Sequence, residues 1–342
     1  MVVDVRYSLW NGAGGGFAVH TAALPQDLRP GEVLVAVGLA TICGSDVKTV
    51  TGRRSGPSPC VLGHEQVGTV VAVGANAAVA VGQRVVWSIT ASCGRCTRCE
   101  TTPQKCASVK KYGHEPFDAA RPLTGGLATH CLLFPGTAVV TVPDTVADEV
   151  AAPASCATAT VAAVLASAGS LRPGMRALVT GAGMLGITAT AMLTQLGVDV
   201  IVYDPDRERR ERALRFGAAA VTADRVAGAD VALELSGRAD AVQVSLDALT
   251  IGGTLVLAGS VSPGPSIALD PERVVRNLLT VTGVHNYRPA DLQAAVGFLA
   301  THQDRYPFAD LAGGRWSLDR LGEAFQAARA GTHARQSVRP GG

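Results

Sequence analysis

Arg176-Ala-Leu-Val-Thr-Gly-Ala-Gly-Met-Leu-Gly186 sets a short apolar run directly against a glycine-spaced turn. Residues 176–180 read as a buried strand, and Gly181-x-Gly-x-x-Gly186 opens a helix that continues to Leu196. A glycine triplet alone says little, but this one follows a strand, starts a helix and has Asp204 at the end of the next strand, eighteen residues after Gly186. That is the context a dinucleotide-binding turn requires. Gly181 permits the tight turn, Gly183 lets the backbone approach a pyrophosphate, and Gly186 permits close helix–strand packing. Met184 and Leu185 complete the turn at a helix N-terminus whose N–H groups face the phosphates. Asp204 is expected to accept hydrogen bonds from the adenosine ribose hydroxyls and to repel a 2′-phosphate, which favours NAD over NADP. Arg207 and Arg209 pull the other way, because a neighbouring arginine accommodates that phosphate.

Working outward, residues 198–203, 231–235 and 254–258 read as further strands, with a helix over 206–216. Strands alternating with helices predict a parallel, doubly wound α/β sheet. Residues before about 142 read differently, as short alternating strands at 32–37, 66–73 and 84–88 punctuated by Gly63, Gly68, Gly74 and Gly82. No helical periodicity of any length is visible there. After residue 280 the pattern is mixed, with an amphipathic helix near 292–299. The expected division is a β-rich domain over 1–150, a nucleotide-binding domain over 151–284, and a C-terminal segment, 285–342, that completes the first domain. A chain of 342 residues is long enough for two such cores.

Apolar residues at 47% and charged residues at 17% suit a well-buried enzyme. A formal charge of +2 and only 4% aromatic residues speak against a nucleic-acid partner, since basic residues cluster only locally at Arg207, Arg209 and Arg210. The uncharged stretches at 150–170 and 177–198 approach spanning length, but are rich in Ala, Gly and Thr, so they read as buried core segments and no membrane is expected. The first ten residues lack the apolar core of a signal peptide, and the cytoplasm is the expected compartment.

Of the eight cysteines, four lie within fourteen residues: Cys93-x2-Cys96-x2-Cys99-x6-Cys106. Four thiolates at this spacing close a tetrahedron around Zn²⁺ and leave no open position, which predicts a structural ion in a lobe over about residues 90–110. A zinc ribbon that binds nucleic acid has the same spacing, but this loop sits inside a longer domain without a basic face. Three further candidates are scattered: Cys43 in Thr41-Ile-Cys-Gly-Ser-Asp46, His64 in Gly63-His-Glu65, and Cys156 in Ala154-Ser-Cys-Ala-Thr-Ala-Thr160. Each alone reads equally as a small buried thiol or a satisfied core histidine.

Together, in this order, these motifs resemble the zinc-dependent medium-chain alcohol dehydrogenases, and the resemblance spans essentially the whole chain. It implies a GroES-like catalytic domain divided by a Rossmann domain, with a second zinc ion held by Cys43, His64 and Cys156. Three ligands leave one position open, where an alcohol oxygen becomes more acidic and the alkoxide releases hydride to the nicotinamide ring. By position, Asp46 resembles the carboxylate that orients the ligand histidine, and Glu65 the acidic neighbour behind the metal. Ser45 resembles the hydroxyl that takes the substrate proton. Many relatives carry a histidine two residues after the aspartate, whereas this chain has Lys48, so the relay beyond Ser45 is left open. The resemblance also places Thr160, Ser236, Gly259 and His285 along the cofactor, though each reads as well as a strand-end packing residue. Family members assemble as dimers or tetramers, which makes a homo-oligomer the expectation.

Within that family, Cys43-Gly-Ser-Asp-x-x-Thr-Val-x-Gly-Arg-Arg54, Pro103-Gln-Lys-Cys106, Lys111-Tyr-Gly-His114 and Gly283-Val-His-Asn-Tyr287 resemble alcohol dehydrogenases associated with phosphonate catabolism. This implies a small hydroxyalkylphosphonate or related anionic alcohol as substrate, a polyol being another small alcohol to consider. Arg53, Arg54, Lys111 and His114 are candidates for its head group, and equally read as solvated loop charges. Ile89 and Trp87 are expected to supply apolar wall near the zinc. Two rivals are a zinc-independent enone or quinone reductase of the same superfamily, which the trio Cys43, His64 and Cys156 disfavours, and a non-enzymatic zinc-binding module.

Overall fold

The computed structural model describes residues 4–342, and the chain divides into two compact units. One comprises residues 1–156, 288–303 and 308–342; the other comprises residues 157–287 and 304–307. Among the described residues, no single helix is long and apolar enough to cross a membrane.

The first unit is β-rich. Val33–Ile42 is its spine, pairing antiparallel with Gln66–Val73, with His130–Leu133 and with the C-terminal strand Arg335–Val338. Arg84–Ala91 continues the sheet, and Asp4–Trp10 with Phe17–Ala23 forms a smaller one. Seven of the eight residues of Arg84–Ala91 are buried, because both of its faces are covered. Trp87 is therefore sealed in the core at 0% exposure. Arg53 is exposed on the surface.

The reading of this half as free of helix is corrected, since Gly44–Val50 is a helix. Two turns are too few to show a 3.6-residue period. What specifies the helix is its start, where the Asp46 carboxylate accepts the Cys43 backbone N–H at 3.0 Å, half of a capping box.

The second unit holds a six-stranded parallel sheet in the order Ala220–Thr222, Asp199–Tyr203, Arg176–Thr180, Ala229–Glu234, Leu249–Leu257, Thr280–Gly283. The order reverses between Arg176–Thr180 and Ala229–Glu234, the doubly wound Rossmann topology that was expected. Met184–Gln195 crosses over immediately after the glycine turn. A Cβ on Gly186 would fall 1.7 Å from the Gly181 carbonyl oxygen, so only glycine lets this helix begin so close to its strand.

Candidate functional site

The first unit brings Cys43, His64 and Cys156 together, with their ligand atoms all within 4.8 Å of one another. Cys43 ends the Val33–Ile42 strand and precedes the Gly44–Val50 helix; His64 precedes Gln66–Val73; Cys156 follows the 3₁₀ turn Ala152–Ser155. Ser155 fastens that turn to the neighbouring strand, its hydroxyl accepting the Gln66 N–H at 3.3 Å and lying 3.3 Å from the His64 carbonyl. Asp46 serves two elements at once. One oxygen holds the helix start, and the other lies 3.1 Å from His64 Nδ1, which leaves Nε2 for the thiol side. That carboxylate is 1% exposed, so its pull on the imidazole is little screened. The Ser45 hydroxyl lies 3.2 Å from His64 Nε2 and 3.4 Å from Cys43 Sγ. Lys48 is half-buried one turn along, and its ammonium makes no ion pair or hydrogen bond among the described residues.

A hydrogen bond with Cys156 and, against the penalty of burial, the Arg335 charge hold the Cys43 thiol well below its ordinary value; the same bond holds Cys156 well above. Two sulfurs and an imidazole nitrogen converging in a buried place are a donor set that fits zinc, with one tetrahedral position left over.

Arg335 was not legible in the sequence. Its Nε and Nη2 donate to Glu65 at 2.6 and 2.7 Å, and Nη2 lies 3.6 Å from Cys43 Sγ. The Thr41 hydroxyl donates to Glu65 at 2.7 Å. Burial still pushes the Glu65 carboxyl up to about 7 against the pull of Arg335. Strand pairing explains the meeting of residues 270 apart. Gln336 is opposite Ile42, so the next step of that antiparallel register brings Arg335 to Cys43.

The stretch 110–115 also reaches this place. A Cβ on Gly113, whose φ is +74°, would stand 2.7 Å from the Gly63 carbonyl oxygen, so this glycine lets the two backbones touch. His114 consequently lies with its ring 5.3 Å from that of His64. Its Nδ1 is 3.1 Å from the Tyr112 carbonyl, and Nε2 is buried without a partner. Burial, then the His64 and Lys111 charges, lower His114 to about 2, so the ring is neutral. Ile89, 4% exposed, accepts the Tyr112 N–H through its carbonyl and anchors the same stretch.

Cys93, Cys96, Cys99 and Cys106 form a second donor set. Their Sγ separations include 3.5 Å for Cys96–Cys99 and 3.9 Å for both Cys93–Cys99 and Cys96–Cys106. A tetrahedron with Zn–S near 2.3 Å has edges of about 3.8 Å. The fit is close. Backbone N–H groups point at the sulfurs, and the one from Ala107 helps push Cys96 down to about 6.

In the second unit, Gly181, Ser236 and Gly259 converge at the carboxyl ends of adjacent strands, where a Cβ on Gly181 would meet Ser236 at 2.8 Å and one on Gly259 the Gly237 nitrogen at 2.3 Å. Gly183 has open space where a Cβ would point, as an approaching pyrophosphate needs. Met184 is buried and Leu185 half-buried in the helix that follows. Asp204, 4% exposed, accepts the Ala182 N–H at 2.7 Å and the Asp206 N–H at 2.9 Å, so it also fixes the glycine turn. Arg209 stands 3.9 Å from Asp206, Arg207 is paired with Glu211, and Arg210 donates to the Asp204 carbonyl. Thr160 is half-buried on Ala157–Ser167, and His285 is exposed just past Thr280–Gly283. Glu234, also unforeseen, is fully buried and accepts the N–H groups of Ser236 and Gly237 and the Ser236 hydroxyl, tying the strand-end loop together.

Residues 29–144 match the family described as alcohol dehydrogenase GroES-like domain, and residues 185–301 match zinc-binding dehydrogenase. The chain is 30% identical over 340 residues to an L-threonine 3-dehydrogenase of Chelativorans sp., covering 92% of this chain and 93% of that protein. An alcohol dehydrogenase from Thermotoga maritima superposes with a TM-score of 0.91 at 23% identity, covering 99% of this chain and 100% of that one. A protein assigned as a zinc-binding dehydrogenase from Sinorhizobium meliloti 1021, bound to NADP, superposes with a TM-score of 0.87 at 23% identity over 99% and 100% of the two chains.

Proposed function

The chain belongs to the zinc-binding medium-chain alcohol dehydrogenase family, and from that premise we propose that it oxidises a small alcohol to a carbonyl with NAD. The alcohol gives up a hydride to the nicotinamide and a proton to the protein, so that carbonyl, NADH and H⁺ are formed. The observation that carries the reading is the buried convergence of Cys43, His64 and Cys156 beside the Ser45 hydroxyl. Zinc held by these three supplies Lewis-acid polarisation of the substrate oxygen, and the nicotinamide supplies the redox chemistry. Asp46 keeps the His64 ring oriented with its free nitrogen toward the thiols. Ser45 accepts the departing proton, and Lys48, one helical turn further, is the candidate to test for its onward transfer. Glu65, neutralised by Arg335, stands behind the donor set. A structural zinc belongs to Cys93, Cys96, Cys99 and Cys106.

NAD is favoured over NADP because Asp204 stands fixed at its strand end, while Arg207 and Arg209 face acidic partners. The NADP found in the Sinorhizobium meliloti protein makes this the part of the reading to measure first. Thr160, Ser236, Gly259 and His285 line the cofactor in this reading. The substrate classes to try are hydroxyalkylphosphonates and polyols. The active form is a homo-oligomer; the outer strand Thr280–Gly283 and the exposed Ile251, Leu269, Val275, Leu278 and Val281 on and between the last two strands support self-association.

Metal analysis with an alcohol screen tests the proposal. Two zinc ions per chain are expected, with turnover lost on chelation while the circular dichroism spectrum persists. One zinc per chain, or turnover that survives chelation, overturns it.

A further inference from the structure

The first unit contains a cleft apart from both metal-ligand clusters. It is bounded by the glycine loop that joins Asp4–Trp10 to Phe17–Ala23, by the end of the Gly44–Val50 helix and by the helix Leu321–Ala330. Its volume is about 420 Å³, within the range of small-molecule sites. Cys43, His64, Cys156 and the four lobe cysteines are not among its lining residues.

One wall is aromatic. Trp10 is 4% exposed, and Phe17 stacks on Phe325 with ring centroids 4.9 Å apart. The space exists because side chains are missing around it. Gly14, Gly16 and Gly322 all line the cleft, and a Cβ added to any of them would meet no atom within 4 Å. Gly322 stands in a helix, where glycine is a poor former, so the helix itself gains nothing from the missing side chain.

Charge selects the occupant. Among the described residues no acidic side chain lines the cleft. The exposed Arg329 guanidinium, two turns along the helix from Gly322, makes no ion pair or hydrogen bond among the described residues. Glu323, the acidic residue of that helix, is already engaged by Arg320 through two hydrogen bonds. The Trp10 indole N–H is buried without an acceptor, a cost that folded proteins seldom carry unless something else supplies one. Both unpaired groups of the wall are donors, so a complementary occupant brings acceptors and negative charge on an apolar body.

We propose that this cleft binds a small aromatic carboxylate, with its ring against Trp10 and Phe325 and its carboxylate on Arg329. Ring faces suit the aromatic body, and the guanidinium fork suits a carboxylate bidentately. The proposal goes beyond the dehydrogenase reading and does not rest on it.

Calorimetry on the zinc-loaded full chain tests it with phenylacetate, the neutral phenylacetamide, and acetate, which lacks the ring. Phenylacetate is expected to bind roughly tenfold or more tightly than either of the others. Arg329→Gln should bring phenylacetate down to the level of phenylacetamide, while Arg329→Lys keeps part of the difference. Gly322→Leu fills the cleft and should abolish binding, with a melting temperature no lower than the parent's because leucine is the better helix former. Arg329→Gln, an exposed change, decides the matter if Gly322→Leu melts early. Equal binding of phenylacetate and phenylacetamide, or no saturable binding up to millimolar concentration, overturns the proposal. Binding undiminished in a folded Gly322→Leu variant puts the anion elsewhere, as on a metal, and overturns it too. If Arg329→Gln alters the sedimentation coefficient and leaves phenylacetate binding unchanged, the cleft is a contact between copies of the chain and the carboxylate reading is wrong.

Discussion

Replacing Arg335 by Met isolates what this arginine does. Its guanidinium, 5% exposed, makes two hydrogen bonds of 2.6 and 2.7 Å to a Glu65 carboxylate that is 0% exposed. Methionine fills much of the volume but leaves the carboxylate with only the Thr41 hydroxyl. Removing one member of a buried ion pair costs about 3–5 kcal/mol when the other charge remains desolvated, so the comparison is made well above the raised Glu65 value of about 7, where the carboxyl would otherwise escape the cost by protonation. For a unit of this size each kcal/mol lowers Tm by roughly 2–4 °C, so the variant should melt roughly 6 to 20 °C below the parent. Thermal unfolding followed by circular dichroism at one scan rate and with zinc in constant excess reads the shift, since metal and rate both move an apparent Tm. The double variant Arg335→Met with Glu65→Gln removes both charges and should recover at least half of the loss, because a neutral pair of similar volume carries no stranded ion. An Arg335→Met variant within about 1 °C of the parent, or a double variant no better than the sum of its singles, refutes the assignment of this pair as a buried, mutually dependent unit.

Three other outcomes follow from the same geometry. Asp204→Gly removes the acceptor for the Ala182 and Asp206 N–H groups. It should raise KM for NAD and narrow the NAD-to-NADP ratio of kcat/KM roughly tenfold or more; an unchanged ratio means that Asp204 does not read the ribose. Cys99→Ser should cost one zinc per chain and lower Tm by several degrees while the second zinc stays, as counted by atomic emission; two retained ions would show that the four-cysteine lobe does not depend on that sulfur. Lys111 loses its proton as pH rises through about 8. Burial and the Arg54 and Lys105 charges lower its pKa, while Cys156 and Asp46 pull the other way. KM for an anionic alcohol should therefore climb severalfold from about pH 7 to about pH 9, and a flat profile would remove Lys111 from substrate binding.

What could be read from the sequence was whatever lies close together in it. The strand, glycine turn and helix of residues 176–196 occupy one continuous stretch, and the 1.7 Å approach that demands Gly186 is to Gly181, five residues earlier. The four cysteines of the lobe are equally local, and their sulfurs stand at tetrahedral spacing. The Gly44–Val50 helix was hidden by its length, although Cys43-x-x-Asp46 carries its start signal. The Glu65–Arg335 pair had no signal at all, because it depends on which strand lies beside Val33–Ile42.

That dependence ties the site to the fold more tightly than the ligand residues alone suggest. Cys43 is the hinge of three separate constraints: its backbone N–H is held by Asp46, its thiol is hydrogen-bonded with Cys156, and its strand is paired with the one that carries Arg335. Asp46 in turn orients His64, and Ser155 pins the Cys156 turn to the Gln66 backbone. Each ligand is thus positioned by a partner distant in sequence, through groups that are themselves buried and hydrogen-bonded. A donor set held in this way is arranged before a metal arrives. The Cys93–Cys106 lobe differs, because its ligands share one short loop, three of them half-exposed, with few constraints from elsewhere. There the ion itself must supply much of the order, which is the physical distinction between a site that a fold prepares for chemistry and one that a metal prepares for the fold.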